Sequence, residues 1–208
     1  MRNGTPDERR KLRRKRRIQA ILIYTVIAIG LAWFFESQAT TTMIFVRHAE
    51  KALVPVDDPG LSPEGQRRAE ELARQLVDAD VVAGIDAIYS TRYRRTMETA
   101  KPVADALGLE INAYDFDPNE DGEDIVDSMV RAYKGKIILV VGHSNTLPRL
   151  IADLGASKKV PPIAENEYDN LYLISIPWFG KTKTIRLRYG TPYGGEAGDD
   201  VAVSSMTQ

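Results

Sequence analysis

The chain has 208 residues, no cysteine and a formal net charge of −1 at pH 7. That length suits one domain with appendages, and the composition excludes disulfides and thiolate metal sites. The near-neutral total conceals two opposed parts: residues 1–17 carry nine Lys/Arg and two Asp/Glu, and the remainder carries 19 basic and 27 acidic residues.

The basic run over residues 9–17 would by itself suit nucleic acid, but its continuation argues against that partner. Residues 18–35 are 18 positions without a charge, about 27 Å as a helix and close to the thickness of a bilayer core. Trp33, Phe34 and Phe35 lie at the far end, where an aromatic belt would sit. A strongly basic flank on one side only is the positive-inside pattern. The expectation is a cytoplasmic tail (1–17), a transmembrane anchor or signal (18–35) and an extracytoplasmic domain. Ser37-Gln38-Ala39 offers small residues to a signal peptidase, and cleavage there would make the domain secreted. The apolar stretch is longer than a usual signal core, which favours an uncleaved anchor.

Residues 42–189 alternate apolar runs with helical patterns, as expected of an α/β sheet covered on both faces. Met43-Ile44-Phe45-Val46 is the first strand. Ser62 as N-cap and Pro63 at the first helical position open a helix whose apolar face is Ala69, Leu72, Ala73 and Leu76. Residues 87–89 form a strand, and a helix over 95–107 ends at Gly108. A weak strand is expected at 109–111 and a helix at 124–133. Ile137-Ile138-Leu139-Val140-Val141 is the strongest strand. A helix over 146–154 follows, and strands at 171–176 and 184–189 form a hairpin. Residues 190–208, rich in Gly, Ser and acid, are expected to be a disordered tail.

The two histidines of the chain each follow an apolar strand, where open α/β sheets place their ligands. His48 lies beside Arg47. A guanidinium makes a poor neighbour for a metal and a good one for phosphate, whose oxygens match its planar fork. The block from Tyr89 to Ala100 runs from strand into helix and brings Arg92, Arg94 and Arg95 to a helix start that favours anions. For Arg92 and Arg94 a solvated surface is the better reading. Gly142-His143-Ser144-Asn145-Thr146 is a third strand-to-helix junction, where Gly142 permits close backbone approach.

Taken together these blocks resemble the histidine phosphatase superfamily, the phosphoglycerate mutase-like group. Arg47-His48 with Glu50 is similar to its first signature. Thr91, Arg95 and Thr99-Ala100 are similar to its second, Gly142-His143-Ser144 to its late segment, and Leu61-Ser62-Pro63-Glu64-Gly65 to its first helix start. The resemblance implies a three-layer α/β/α fold, here preceded by one N-terminal transmembrane helix. It implies a phosphatase acting on a phosphorylated small molecule or phosphoprotein through a phosphohistidine on His48. Arg47, Arg95 and His143 would hold the phosphoryl oxygens, with Ser144 and Asn145 beside them. No metal or other cofactor would be needed. The family's proton donor is an Asp or Glu; Glu120 stands at about the right place, with Glu123, Asp117 and Asp115 as rivals. A mutase and a non-catalytic module that binds phosphorylated ligands are the alternatives. Residues 53–60 and 114–124 are the expected cavity walls, and their acidity would disfavour polyanions.

Overall fold

The computed structural model describes residues 6–37, 40–78, 84–116, 122–156 and 160–190. The chain divides into two compact units, Met1–Ala39 and Thr40–Gln208.

The first unit is one helix, α1 (Pro6–Ser37). Within it Arg10–Phe35 is long and apolar enough to cross a membrane by length and composition. Its apolar side chains are exposed, from Phe34 at 44% to Tyr24 at 75%. Thr25 donates its hydroxyl to the Ile21 carbonyl (2.9 Å), so this polar group is satisfied inside the helix. The expected tail at 1–17 differs in one respect: from Pro6 the basic residues continue the same helix.

The second unit is a six-stranded sheet in the order β3-β2-β4-β1-β5-β6. Its strands are β1 (Thr41–Arg47), β2 (Ala87–Thr91), β3 (Ile111–Tyr114), β4 (Ile137–Gly142), β5 (Asn170–Ile176) and β6 (Lys183–Arg188). The first four run parallel, and β5 and β6 are antiparallel additions. The β-branched runs of β1 and β4 are buried almost throughout, because helices cover both faces. On one face α2 (Pro63–Asp78) and α3 (Arg94–Leu107) pack Leu72, Ala100 and Val103 against Ile44, Val46, Leu139 and Val141. On the other, α4 (Gly122–Ala132) and α5 (Leu147–Asp153) pack Val126, Met129, Leu150 and Ile151 against Met43, Phe45, Ile138 and Val140. The architecture is therefore the three-layer α/β/α arrangement that the sequence pattern implies.

Local signals act where expected. Ser62 Oγ accepts the Gly65 N–H (3.1 Å) at the start of α2, and Thr146 immediately precedes α5. The weak strand expected at 109–111 is displaced. The Leu109 N–H bonds back to the Ala104 carbonyl (3.0 Å), so Leu109 closes α3, and β3 starts at Ile111 opposite Ile88. The tail at 190–208, apart from Gly190, lies outside the described residues.

Sheet register builds the site. Arg47 of β1 pairs with Gly142 of β4, so the next residue of each strand, His48 and His143, emerges at the same carboxyl edge. The chain leaves β1 for β2 on one side and reaches β5 on the other, so this edge is the switch point of the sheet.

Candidate active site

Backbone contacts fix the start of the site. The His48 N–H bonds to the Gly142 carbonyl (2.9 Å), and the Ala49 N–H bonds to Thr99 Oγ1 (2.9 Å). The Thr99 hydroxyl in turn donates to the Arg95 carbonyl (2.7 Å). One threonine of α3 thus locks the segment after β1 to the turn of helix that carries Arg95. Gly65 lies against this segment, and a Cβ there would collide with the Glu50 carbonyl, which accounts for glycine at that helix start.

His48 is 5% exposed, and its Nδ1 lies 2.7 Å from the Ala49 carbonyl. A carbonyl can only accept, so Nδ1 carries the proton and Nε2 carries the lone pair. Burial, opposed by that hydrogen bond and reinforced by Arg47, His143 and Arg95, lowers its pKa to about 3. The ring is neutral near neutral pH, the state a nucleophilic imidazole requires.

His143 lies 5.3 Å from His48, ring centre to ring centre. Burial and the charges of Arg95 and Arg47 lower its pKa to about 4. Its ring orders a chain of donors. Arg95 Nη2 approaches Nδ1 (3.4 Å), which makes Nδ1 the acceptor. Nε2–H then faces Thr91 Oγ1 (3.0 Å), and Thr91 meets Thr96 Oγ1 (2.8 Å). Thr96 donates to the Tyr93 carbonyl (2.7 Å).

The two arginines are held by neutral groups. Arg47 Nη1 donates to the carbonyls of Ala164 (2.7 Å), Glu165 (2.9 Å) and Glu167 (3.0 Å), and its guanidinium lies 4.3 Å over the Tyr168 ring. Its Nε is buried with no hydrogen-bond partner among the described residues, a donor left for an anion. Burial also lowers the Arg47 pKa from its ordinary value, against the pull of Glu165 and Glu167. Arg95 stacks 4.4 Å over Tyr93. Aromatic faces orient both guanidiniums without neutralising them.

A cavity of about 960 Å³ opens over these groups, lined by Arg47, His48, Thr91, Arg95 and His143 and by Ser144 and Asn145. The expected walls contribute Val56, Asp57, Asp58 and Pro59 on one side and Tyr114, Asp115 and Phe116 on the other. Glu120, Asp117 and Asp121 lie outside the described residues. Of the remaining acids, Asp115 binds Arg92 through both oxygens (2.9 and 3.0 Å), and Asp58 accepts the Arg94 N–H at the start of α3 (3.0 Å). Among the described residues, no three or more His, Asp or Glu side chains are grouped to hold a metal ion.

Several residues escaped the sequence reading. Tyr93 backs Arg95, and Glu165 lines the cavity. Tyr168 belongs to the stretch Glu167-Tyr168-Asp169-Asn170, which the sequence placed at the site rim, but its stacking on Arg47 was not foreseen. Glu50, read only as part of the first signature, is 5% exposed and bonds Arg68 Nε through both oxygens (2.7 and 3.0 Å). Its companion is an arginine on the polar side of the α2 pattern, a pairing no local spacing signals. In the segment 167–170, Tyr168 lines the cavity, whereas Glu167, Asp169 and Asn170 bind Arg186 and Arg188 of β6.

Residues 43–115 match the family model of the histidine phosphatase superfamily (branch 1). A curated relative, phosphoserine phosphatase 1 of Hydrogenobacter thermophilus, is 39% identical over 75 residues, 33% of this chain and 34% of that protein. The match thus spans about a third of the relative's length. Among solved structures, the protein histidine phosphatase SixA complexed with tungstate superposes with a TM-score of 0.57 at 18% identity, covering 71% of this chain and 96% of that one. Phosphoglycerate mutase from Bacillus anthracis gives 0.55 at 17% identity, covering 73% and 94%. At these identities the structural likeness establishes the fold.

Proposed function

We propose that this chain is a member of the histidine phosphatase superfamily, whose family model matches residues 43–115, and that it is a membrane-anchored phosphatase hydrolysing a phosphomonoester or phosphoprotein through a phosphohistidine on His48. The observation that carries the proposal is the state of that ring: buried, neutral, its Nδ1 proton spent on the Ala49 carbonyl, and Nε2 the nitrogen that keeps a lone pair. Nε2 attacks phosphorus, the ester oxygen leaves, and water then hydrolyses the phosphohistidine. Arg47 and Arg95 bind the peripheral oxygens as charge builds on them. A phosphoryl group between the rings would draw the Arg95 guanidinium off His143 Nδ1. That nitrogen could then take up a proton and donate to the third oxygen. Ser144 and Asn145 lie where they could contact the same group.

The leaving oxygen needs a proton from a carboxylic acid. Glu120 is the candidate from the sequence, and Glu165 and Asp57 line the cavity. Hydrolysis is preferred to mutase chemistry on the name of the curated relative, a phosphoserine phosphatase. The relatives' names, a phosphoserine phosphatase and a protein histidine phosphatase, support the same reaction class. The positive-inside flank and the apolar helix support an anchor with the domain outside the cytoplasm.

The test is hydrolysis of p-nitrophenyl phosphate by the full chain in detergent, with and without EDTA, and by its His48→Ala variant. Expected is turnover that ignores EDTA and drops by on the order of 10³-fold or more in the variant. Turnover that survives His48→Ala, or that EDTA abolishes, overturns the mechanism. Vanadate binding without turnover would favour a phospho-ligand binding module. For topology, protease added outside intact cells with a permeable outer envelope should digest the domain.

A further inference from the structure

Arg47 is held by a turn beside the cavity, and one side chain closes that turn. The turn is Ala164-Glu165-Asn166-Glu167, ahead of β5. Its Glu167 N–H bonds to the Ala164 carbonyl (3.0 Å). The Glu167 side chain closes it a second time, Oε2 accepting the Ala164 N–H (3.1 Å). Closed in this way, the turn aims the carbonyls of Ala164, Glu165 and Glu167 at a single nitrogen, Arg47 Nη1 (2.7, 2.9 and 3.0 Å). That nitrogen has two N–H bonds to share among three acceptors, so one edge of the guanidinium is fixed in place. Its buried Nε is left without a hydrogen-bond partner among the described residues.

The Glu167 carboxylate is anchored from behind. Its Oε1 accepts Nη2 of Arg188 (3.0 Å) and of Arg186 (3.4 Å), both on β6. Burial would raise the Glu167 pKa, but hydrogen bonds from Arg188 and Ala164 and the charges of both arginines hold it below its ordinary value. The group is therefore ionised near neutral pH, and it is close enough to Arg47 to act on it electrostatically. A carboxylate free at this distance could pair with Arg47 and withdraw it from an anion. Spent on β6 and on the Ala164 N–H, the same carboxylate shapes the turn and leaves the Arg47 charge available. Glu167 itself does not line the cavity.

We infer that Glu167 is a positioning residue for Arg47: it closes the 164–167 turn, is neutralised on β6, and so presents the three carbonyls that aim the guanidinium at the phosphoryl oxygens. The inference rests on the reading of the cavity as a phosphoryl site. It adds to the reaction a residue that touches no substrate and acts through one other side chain.

Action through Arg47 is what the test measures. Vanadate affinity is read by calorimetry on the full chain in detergent, with p-nitrophenyl phosphate kinetics alongside and each variant normalised to its folded fraction. Glu167→Ala should weaken vanadate binding and lower kcat by about 10- to 10²-fold, with kcat falling more than KM rises. Glu167→Gln keeps an oxygen for the Ala164 N–H and should recover most of the loss. In an Arg47→Ala background the Glu167→Ala change should cost less than about twofold. Unchanged affinity and kcat in Glu167→Ala overturn the inference. An equal loss with and without Arg47 also overturns it, because that is the mark of a general structural role. Should Glu167→Ala not fold, Glu167→Asp, which keeps the charge but is one methylene shorter, is read against the same outcomes. A chain that binds vanadate without turnover, or whose turnover survives His48→Ala, overturns the phosphohistidine mechanism, while the vanadate affinities still decide the role of Glu167. A chain that binds no vanadate overturns both.

Discussion

The floor of the cavity and its rim use the same side chain in opposite ways. On the floor, Arg47 and Arg95 contact carbonyl oxygens, an imidazole and two aromatic rings. On the rim, Arg92 and Arg94 are paired with Asp115 and Glu98. Arg68, behind the floor, is paired with Glu50. The difference is functional electrostatics. Neutral partners orient a guanidinium and leave its charge available to an incoming anion, whereas a carboxylate cancels it. Glu50 sits two residues from His48 and is paired with Arg68, so under the proposed function its negative charge would not oppose a phosphoryl group.

The sharpest way to break this division is to remove the compensation behind the floor. Arg68→Leu strands the Glu50 carboxylate in a site where both side chains are less than a tenth exposed. Denaturant unfolding should show a loss of about 3–5 kcal/mol. A loss below about 1 kcal/mol would mean that water reaches Glu50 and that the pair is no part of a dry scaffold. Next in size is the floor itself. Arg95→Ala removes a preorganised donor to the peripheral oxygens, and kcat/KM should fall by about 10²–10³-fold. A fall confined to KM would show that Arg95 holds substrate and transition state alike, which makes it a binding group only.

The floor was more legible in the sequence than the groups that tune it. His48 and His143 could be placed because each ends an uninterrupted apolar run, and the buried central strands of a sheet leave few other readings of such runs. Arg95 was separable from Arg92 and Arg94 only through the family resemblance, which implies an arginine four residues before Thr99; in the structure Thr99 bonds both the Arg95 carbonyl and the Ala49 N–H. The Glu50–Arg68 pair was not legible, because an ion pair between a loop and a helix obeys no period. The stacking of Tyr93 and Tyr168 on the arginines was hidden for the same reason, as a ring face meets a guanidinium only after the sheet has closed, although the stretch holding Tyr168 was expected at the rim. The start of β3 was misread because Leu109 is apolar enough for a strand, and the carbonyl of Ala104 claims its N–H for the helix end instead.

Burial of the two histidines, reinforced by the charges on the floor, also sets a pH dependence of moderate size. His48 and His143 have pKa values lowered to about 3 and about 4, and in the unfolded chain both return to about 6.5. Below that value the unfolded state binds protons that the folded state refuses, so stability falls as pH drops. Between about pH 6.5 and 4 the slope should approach 1.4 kcal/mol per pH unit for each histidine, and it should vanish above that window. Unfolding curves at pH 7, 6 and 5 check the sign. His48→Gln should remove about half of the slope. A slope unchanged by that substitution would show that His48 is hydrated and protonates freely.

The smallest effect is expected at the rim, and its smallness is informative. Arg92 lines the cavity and begins the same helix junction as Arg95, so proximity alone would make it a phosphate ligand. Its side chain is 68% exposed, however, and is bound to Asp115, itself 73% exposed. A pair of that kind contributes little and is screened by salt. Arg92→Ala should change kcat/KM for a simple phosphomonoester by less than about threefold. It should also release the Asp115 charge at the mouth, lowering KM for esters with a cationic remainder and raising it for esters with a second phosphate. A loss comparable to that of Arg95→Ala would move Arg92 to the floor. Carboxylate pairing would then no longer mark a guanidinium as withdrawn from the reaction, because Asp115 would have to yield its partner to the substrate.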